Sequence, residues 1–173
     1  MNSNIKRGIL TGLLVATWLL AGYSILAFLF PGVAKVILRT LTGALGLIIL
    51  FIGILYAMKS MKAKFSGKRF TYLKAFSTGF VITVIVAVVV SLASFLYIKF
   101  INPGLTDDMV KEAEASLKAS GVTAEEMSGK LIAVRKEFSL QAQIIAPLIV
   151  QTVAGSIFSF ILAFFFRHKN KSS

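Results

Sequence analysis

Chemistry in a protein needs a base, a nucleophile or a metal ligand, and this chain of 173 residues holds one histidine, no cysteine and seven acids. His168 lies in the basic tail Arg167-His168-Lys169-Asn170-Lys171, where a solvated imidazole is expected rather than a ligand or general base. Without cysteine there is no disulfide framework, thiolate metal site or thiol nucleophile. The acids Asp107, Asp108, Glu112, Glu114, Glu125, Glu126 and Glu137 all fall between Lys99 and Gln143, among Lys99, Lys111, Lys118, Lys130, Arg135 and Lys136, so that segment is close to neutral. No Asp, Glu, Lys or His lies well inside an apolar run, whereas proton relays, ion-coupled transporters and intramembrane proteases generally need such groups at depth. We therefore assign no catalytic, cofactor-binding or metal-binding residue, expect no cofactor, and do not read the chain as an enzyme.

The polar side chains that remain are weaker candidates. Gln143 and Gln151 are eight residues apart, near one face of a helix, and a glutamine in hydrocarbon needs a partner on a neighbouring helix or a ligand. Gly79, Thr83, Ala87, Ser91 and Ser94 recur along one side of the third apolar run, and Thr152, Ser156, Ser159 and Ala163 along one side of the fourth. These two faces are expected to meet. Ser91, Ser94, Gln151 and Ser156 then form a candidate polar interior, either packed and hydrogen-bonded locally or lining a wet path. Gly8, Gly12 and Ala16 in the first run, and Gly43, Gly46 and Gly53 in the second, form a candidate seam within the chain's own bundle or between two copies.

Four elements must position these residues. With 57% hydrophobic and only 15% charged residues, the chain is far more apolar than a soluble domain, and its solvent is a bilayer. The formal charge of +12 does not mark a nucleic-acid binder, because the cations cluster at the ends of apolar runs rather than on a soluble face. Spans are expected at about 8–30, 36–58, 75–98 and 144–166, in a single domain over 1–173. The first, with about 23 residues rising roughly 34 Å, is too long for the h-region of a cleaved signal and is read as retained. Pro31-Gly32 should turn the chain tightly into the second. The valine-rich stretch 81–90 would be a strand in water. In lipid, unpaired strand edges exclude that, and four segments cannot close a barrel. The fold class is therefore all-α: a polytopic membrane protein with four transmembrane helices in an antiparallel bundle. Two short extracytoplasmic helices lie between spans three and four, in the extramembrane segment 99–143.

The first of those short helices is expected to start at Thr106, with Asp107 and Asp108 in its first turn and Met109, Val110, Ala113 and Leu117 on one side, and to stop at Gly121. Thr123-Ala124-Glu125-Glu126 matches a capping box ahead of the stripe Met127, Leu131, Val134 and Phe138. This second helix is expected to run on towards span four, with a bend near Pro147. Trp18 falls mid-span and should pack against another helix.

Orientation follows from Lys59, Lys62, Lys64, Lys68, Arg69 and Lys74, which sit densely between spans two and three. Such a loop stays cytoplasmic, which places both termini in the cytoplasm and segment 99–143 in the periplasm of a bacterial inner membrane. Phe65, Phe70 and Tyr72 are interleaved with these cations, so contact with anionic lipid is a second reading of the loop.

The layout of four spans, a tight first hairpin, a basic second loop, the aromatic Tyr97–Pro103 span end closed by Asn-Pro, a charged helical segment containing Thr-Ala-Glu-Glu, and a basic tail resembles the bacterial membrane family known as domain of unknown function 4199, found mainly in Bacteroidota. The resemblance implies a small inner-membrane protein and supplies no functional residues. The expected role is an interaction or scaffold protein, with membrane lipids and a homo-oligomer or membrane-protein partner and no nucleic acid. The alternative is a passive transporter or channel for a small or lipidic solute.

Overall fold

A computed structural model describes residues 3–33, 35–65, 70–137 and 139–167, with the backbone alone for Tyr23, Lys35, Val36, Ala124 and Glu125. Lys68, Arg69, Phe138, His168, Lys169 and Lys171, which the sequence reading used, lie outside the described residues. The elements are α1 (Ser3–Leu29), α2 (Lys35–Lys64), α3 (Tyr72–Leu96) continued by a π-helical turn (Tyr97–Ile101), α4 (Leu105–Ala119), α5 (Ala124–Glu137) and α6 (Leu140–Phe166). Among the described residues there is no strand, and the valine-rich stretch 81–90 is helix throughout.

Four of these helices are long and apolar enough to cross a membrane. At 27, 30, 25 and 27 residues, α1, α2, α3 and α6 overrun the expected spans. A helix satisfies its own backbone wherever it goes, so it continues into the interface past the first charged residue that marks the edge of an apolar run.

Two compact units divide the chain: Met1–Val90 with Leu148–Ser173, and Ser91–Pro147. In the first unit, the outside is apolar as well as the inside. Thr11, Thr42, Thr78, Thr83, Gln151 and Ser159 are buried together with Leu50, Ile54, Met58, Ile82 and Val86, while leucine, isoleucine, valine and phenylalanine dominate the outside, up to Phe28 at 85% exposed. Such a surface suits hydrocarbon and not water.

Glycine sets how closely the helices of this unit approach. A Cβ on Gly8 would lie 2.9 Å from Ile85, and one on Gly12 would lie 2.8 Å from Val89, both on α3. On α2, Gly53 faces Thr11 and Gly46 faces Leu19 and Trp18 of α1. The indole Nε1 of Trp18 donates to the Thr42 carbonyl at 2.9 Å. That carbonyl is one turn before Gly46, where the missing side chain leaves it open. Between α3 and α6, Gly79 meets Ser159 and Gly155 meets Thr83, while Ala75 and Ala163 are buried in one cluster.

In the second unit, α4 ends in a Schellman turn: Gly121 takes φ +73°, its N–H donates to the Lys118 carbonyl, and the Val122 N–H reaches back to Leu117. The Thr123 hydroxyl accepts the Glu126 N–H at 3.4 Å, as the capping box anticipates. Two expectations are corrected. Helix α4 starts at Leu105, with Gly104 rather than Thr106 at its cap, because the Leu105 N–H already bonds Asn102 across the Asn-Pro-Gly turn. Helix α5 does not run into α6. Ser139 restarts the chain by accepting the Ala142 N–H on its hydroxyl at 3.3 Å.

Gly155→Val should lower the thermal midpoint of the detergent-purified protein by an amount equivalent to about 1–3 kcal/mol of overpacking. Its Cβ would run into the Thr83 side chain. Gly43→Ala, where a Cβ meets nothing within 4 Å, should leave the midpoint unchanged or raise it. Equal effects of the two would refute glycine-mediated packing of α3 on α6.

Candidate functional site

The candidate polar interior does not fall in one compact unit. Ser91 and Ser94 belong to residues 91–147, and Gln151 and Ser156 to the first unit. Four hydroxyls along the spans turn back onto their own helix: Thr42 donates to Leu38, Thr78 to Lys74, Thr83 to Gly79 and Ser156 to Thr152, each four residues earlier. This satisfies the hydroxyl locally, and the Thr83 side chain packs against Gly155 with methyl and hydroxyl alike.

The buried strip of α6 is Gln151, Gly155, Ser159, Leu162 and Ala163, rotated from the expected Thr152, Ser156, Ser159 and Ala163. Close approach selects the glycine over the hydroxyl, so Gly155 takes the contact and Ser156 is left half-buried. Sequence reasoning missed Gly155. The signal was there in the four-residue spacing of Ala75, Gly79, Thr83 and Ala87 against that of Gln151, Gly155, Ser159 and Ala163. Gln151 is only 4% exposed, yet its Oε1 accepts no hydrogen bond, and the same holds for the Oγ atoms of Ser91 and Ser159. The interhelical bond expected of a glutamine is made instead by Gln143, whose Nε2 donates to Met109 Sδ at 3.1 Å.

Of the candidate seam, Gly8, Gly12, Gly46 and Gly53 face neighbouring helices of the same chain, Ala16 is buried, and Gly43 is half-buried with open space before it.

The basic loop is flanked by an aromatic cluster. Phe70, Ala75 and Ala163 are buried together, with Met61, Phe65, Tyr72, Phe76 and Phe166 packed against them. Lys74 Nζ lies 4.8 Å from the centre of the Phe65 ring, Lys62 Nζ 5.8 Å from Phe166, and the Arg167 guanidinium 4.3 Å from Phe164. Cations on ring faces keep their outer donors free. Lys59, Lys64 and Lys74 are exposed. At the same end Arg7 donates to the Ser60 hydroxyl and lies over Tyr56, tying α1 to α2. These cations therefore gather at one end of the first unit, and Arg167, read from sequence only as a basic stop, is among them.

On α4–α5 the charges pair along the helices. Lys118 bonds Glu114 at 2.7 Å and Lys130 bonds Glu126 at 3.5 Å. The Lys118 ammonium, by hydrogen bond and by charge, holds the Glu114 carboxyl below the ordinary glutamate range. A depressed carboxyl favours the folded helix at pH above its unfolded value, and that contribution fades as pH falls through the folded value. The half-buried stripe is Met109, Ala113 and Leu117, with Val110 fully buried on α4, and Met127, Leu131 and Val134 on α5. Ile132 points away from it, 71% exposed.

Two measurements check these assignments. Gln151→Leu removes an unpaired buried acceptor at similar volume, so the thermal midpoint in detergent should hold or rise, by the equivalent of about 1 kcal/mol; a marked fall would mean that the amide has a bound partner. In a carboxyl-resolved NMR titration, the Glu114 midpoint should rise in Lys118→Ala, and no change would remove the ion pair as its cause.

The comparisons with known proteins come to one match. No curated protein and no solved structure matches the chain. A family model described as Protein of unknown function (DUF4199) matches residues 6–168, from the basic flank of α1 through the interfacial arginine after α6. With four helices able to span a membrane and a match over nearly its whole length, the chain is a multi-pass membrane protein that belongs to the DUF4199 family.

Proposed function

We propose that this protein is a small interaction or scaffold protein of a bacterial inner membrane, an antiparallel four-helix bundle with both termini in the cytoplasm. The acid-bearing pair α4–α5 is then the part offered to a partner in the periplasm. The orientation rests on the positive-inside rule applied to Lys59, Lys62, Lys64 and Lys74, and on the basic flanks at Lys6, Arg7 and Arg167. The observation that carries the role is where the small residues are used. Gly8, Gly12, Gly46, Gly53, Gly79 and Gly155 face helices of their own chain, so they hold the bundle together and are not available to a second copy. Helices α4 and α5 carry every acid of the chain, and Ile132 is the exposed large apolar residue on them.

The alternative, passive transport of a small or lipidic solute, is favoured by one observation: the Oε1 of Gln151 and the Oγ of Ser159 are buried without hydrogen-bond partners. Against it stand the span hydroxyls bonded to their own helices and the close contacts of Gly79 and Gly155 across the α3–α6 line.

Because the native chain has no cysteine, a single introduced thiol is an unambiguous probe. Ile132→Cys should react with a membrane-impermeant maleimide in intact spheroplasts, and Ser66→Cys only after permeabilisation. A photocrosslinker at residue 132 in native membranes should capture a discrete partner band absent with the probe at residue 43. Labelling of both thiols from the same side would overturn the orientation. A chain that stays uncrosslinked from residue 132, while remaining labelled there, would overturn the interaction role.

A further inference from the structure

The first unit contains a groove between the start of α3 and the end of α6. It is about 480 Å³ in volume, within the range of ligand pockets, and is lined by Tyr72 at the start of α3, by Phe160, Ile161, Phe164 and Phe165 on α6, and by Arg167 just beyond it. Tyr72 forms its wall on one side, with its ring edge-to-face on Phe160 at 5.9 Å and its hydroxyl directed to the Phe160 carbonyl at 3.5 Å. All of its lining is apolar or aromatic except that tyrosine hydroxyl and the guanidinium.

Arg167 decides what can occupy it. The residues of the first unit, 1–90 and 148–173, contain no Asp or Glu, so no carboxylate side chain of this unit can neutralise the guanidinium. Its face is occupied by Phe164 at 4.3 Å, which orients the plane while leaving N–H donors at its edge. Lys62 and Lys74, at the same end, are likewise set on the aromatic rings of Phe166 and Phe65. A soluble anion would satisfy the charge but leave the aromatic trough empty. A neutral lipid would fill the trough but leave the charge without its partner. A molecule with a hydrocarbon tail and a phosphate at one end satisfies both, and the guanidinium matches phosphate geometry with two parallel donors.

We propose that this groove is a binding site for an anionic glycerophospholipid, one acyl chain lying along Tyr72, Phe160 and Phe164 and the phosphate held by Arg167. The site needs α3 and α6 to span the membrane but is independent of any partner on α4–α5, so the crosslinking above and the test below fail separately.

The test uses the full chain in non-ionic detergent and native mass spectrometry, with dioleoyl phosphatidylglycerol, dioleoyl phosphatidylcholine and inorganic phosphate as probes. One phosphatidylglycerol should be retained per chain, about tenfold more tightly than phosphatidylcholine, as one charge-assisted phosphate contact would give. Inorganic phosphate should not displace it. Arg167→Gln should abolish the preference, Arg167→Lys should restore part of it, and Lys6→Gln, exposed near the start of α1, should leave it within about twofold. Arg167 is exposed and lies beyond the last turn of α6, so folding of its variants is verified by an unchanged thermal midpoint. Equal retention of the two lipids, equal losses in Arg167→Gln and Lys6→Gln, or displacement by inorganic phosphate would each overturn the proposal.

Discussion

Hydrocarbon offers no hydrogen-bond partner, and nearly every feature of this protein answers that constraint. Backbone groups must be satisfied within each segment, so a valine-rich stretch that water would fold as a strand is helix here. The same pressure acts on side chains. Thr42, Thr78, Thr83 and Ser156 return their hydroxyls to the carbonyl one turn back, which lets polar residues occupy the interior while leucine and phenylalanine face outward. Without a hydrophobic effect to press the helices together, close packing must do the work, and glycine makes it possible.

That division of labour explains why one face can hold two kinds of residue. At Gly46 the absent side chain lets Leu19 and Trp18 come close and opens the Thr42 carbonyl to the indole. At Gly155 it admits the whole end of the Thr83 side chain, whose hydroxyl is already bonded to Gly79. The residual cost sits on Gln151 and Ser159, whose oxygens stay unpaired on the same strip of α6. Unpaired acceptors in a low-dielectric interior are costly, which makes these two the polar positions of the first unit where function has most reason to act.

Charge is distributed by the same logic at larger scale. Arg7, Lys62, Lys74 and Arg167 of the first unit lie near the ends of its helices, over aromatic rings, and that unit has no Asp or Glu side chain for them to meet. The acids are gathered on α4 and α5, where Glu114 and Glu126 find lysines four residues away. Two acids of the second unit thus meet their counter-charge one turn along their own helix, while the first unit has no acidic side chain to supply any.

Helix number, span positions, the Gly121 stop and the basic belt were all readable from residue order, because hydropathy, glycine geometry and the charge of short loops are local properties that need no neighbour to express them. Which face of α6 is buried was not. The face through Thr152 and Ser156 and the face through Gln151 and Gly155, about 100° apart on a helical wheel, both carry small or polar residues, and the choice fell to the glycine that could let α3 approach. The restart at Ser139 was hidden for a related reason, since an amphipathic stripe running towards a hydrophobic one carries no mark of the break until the cap forms. Nor could the sequence show that Tyr72 and Arg167, nearly a hundred positions apart, line one groove. Proximity of that kind exists only once two helices have been set side by side, and that setting is decided by packing at Gly79 and Gly155 rather than by any property of the two residues themselves.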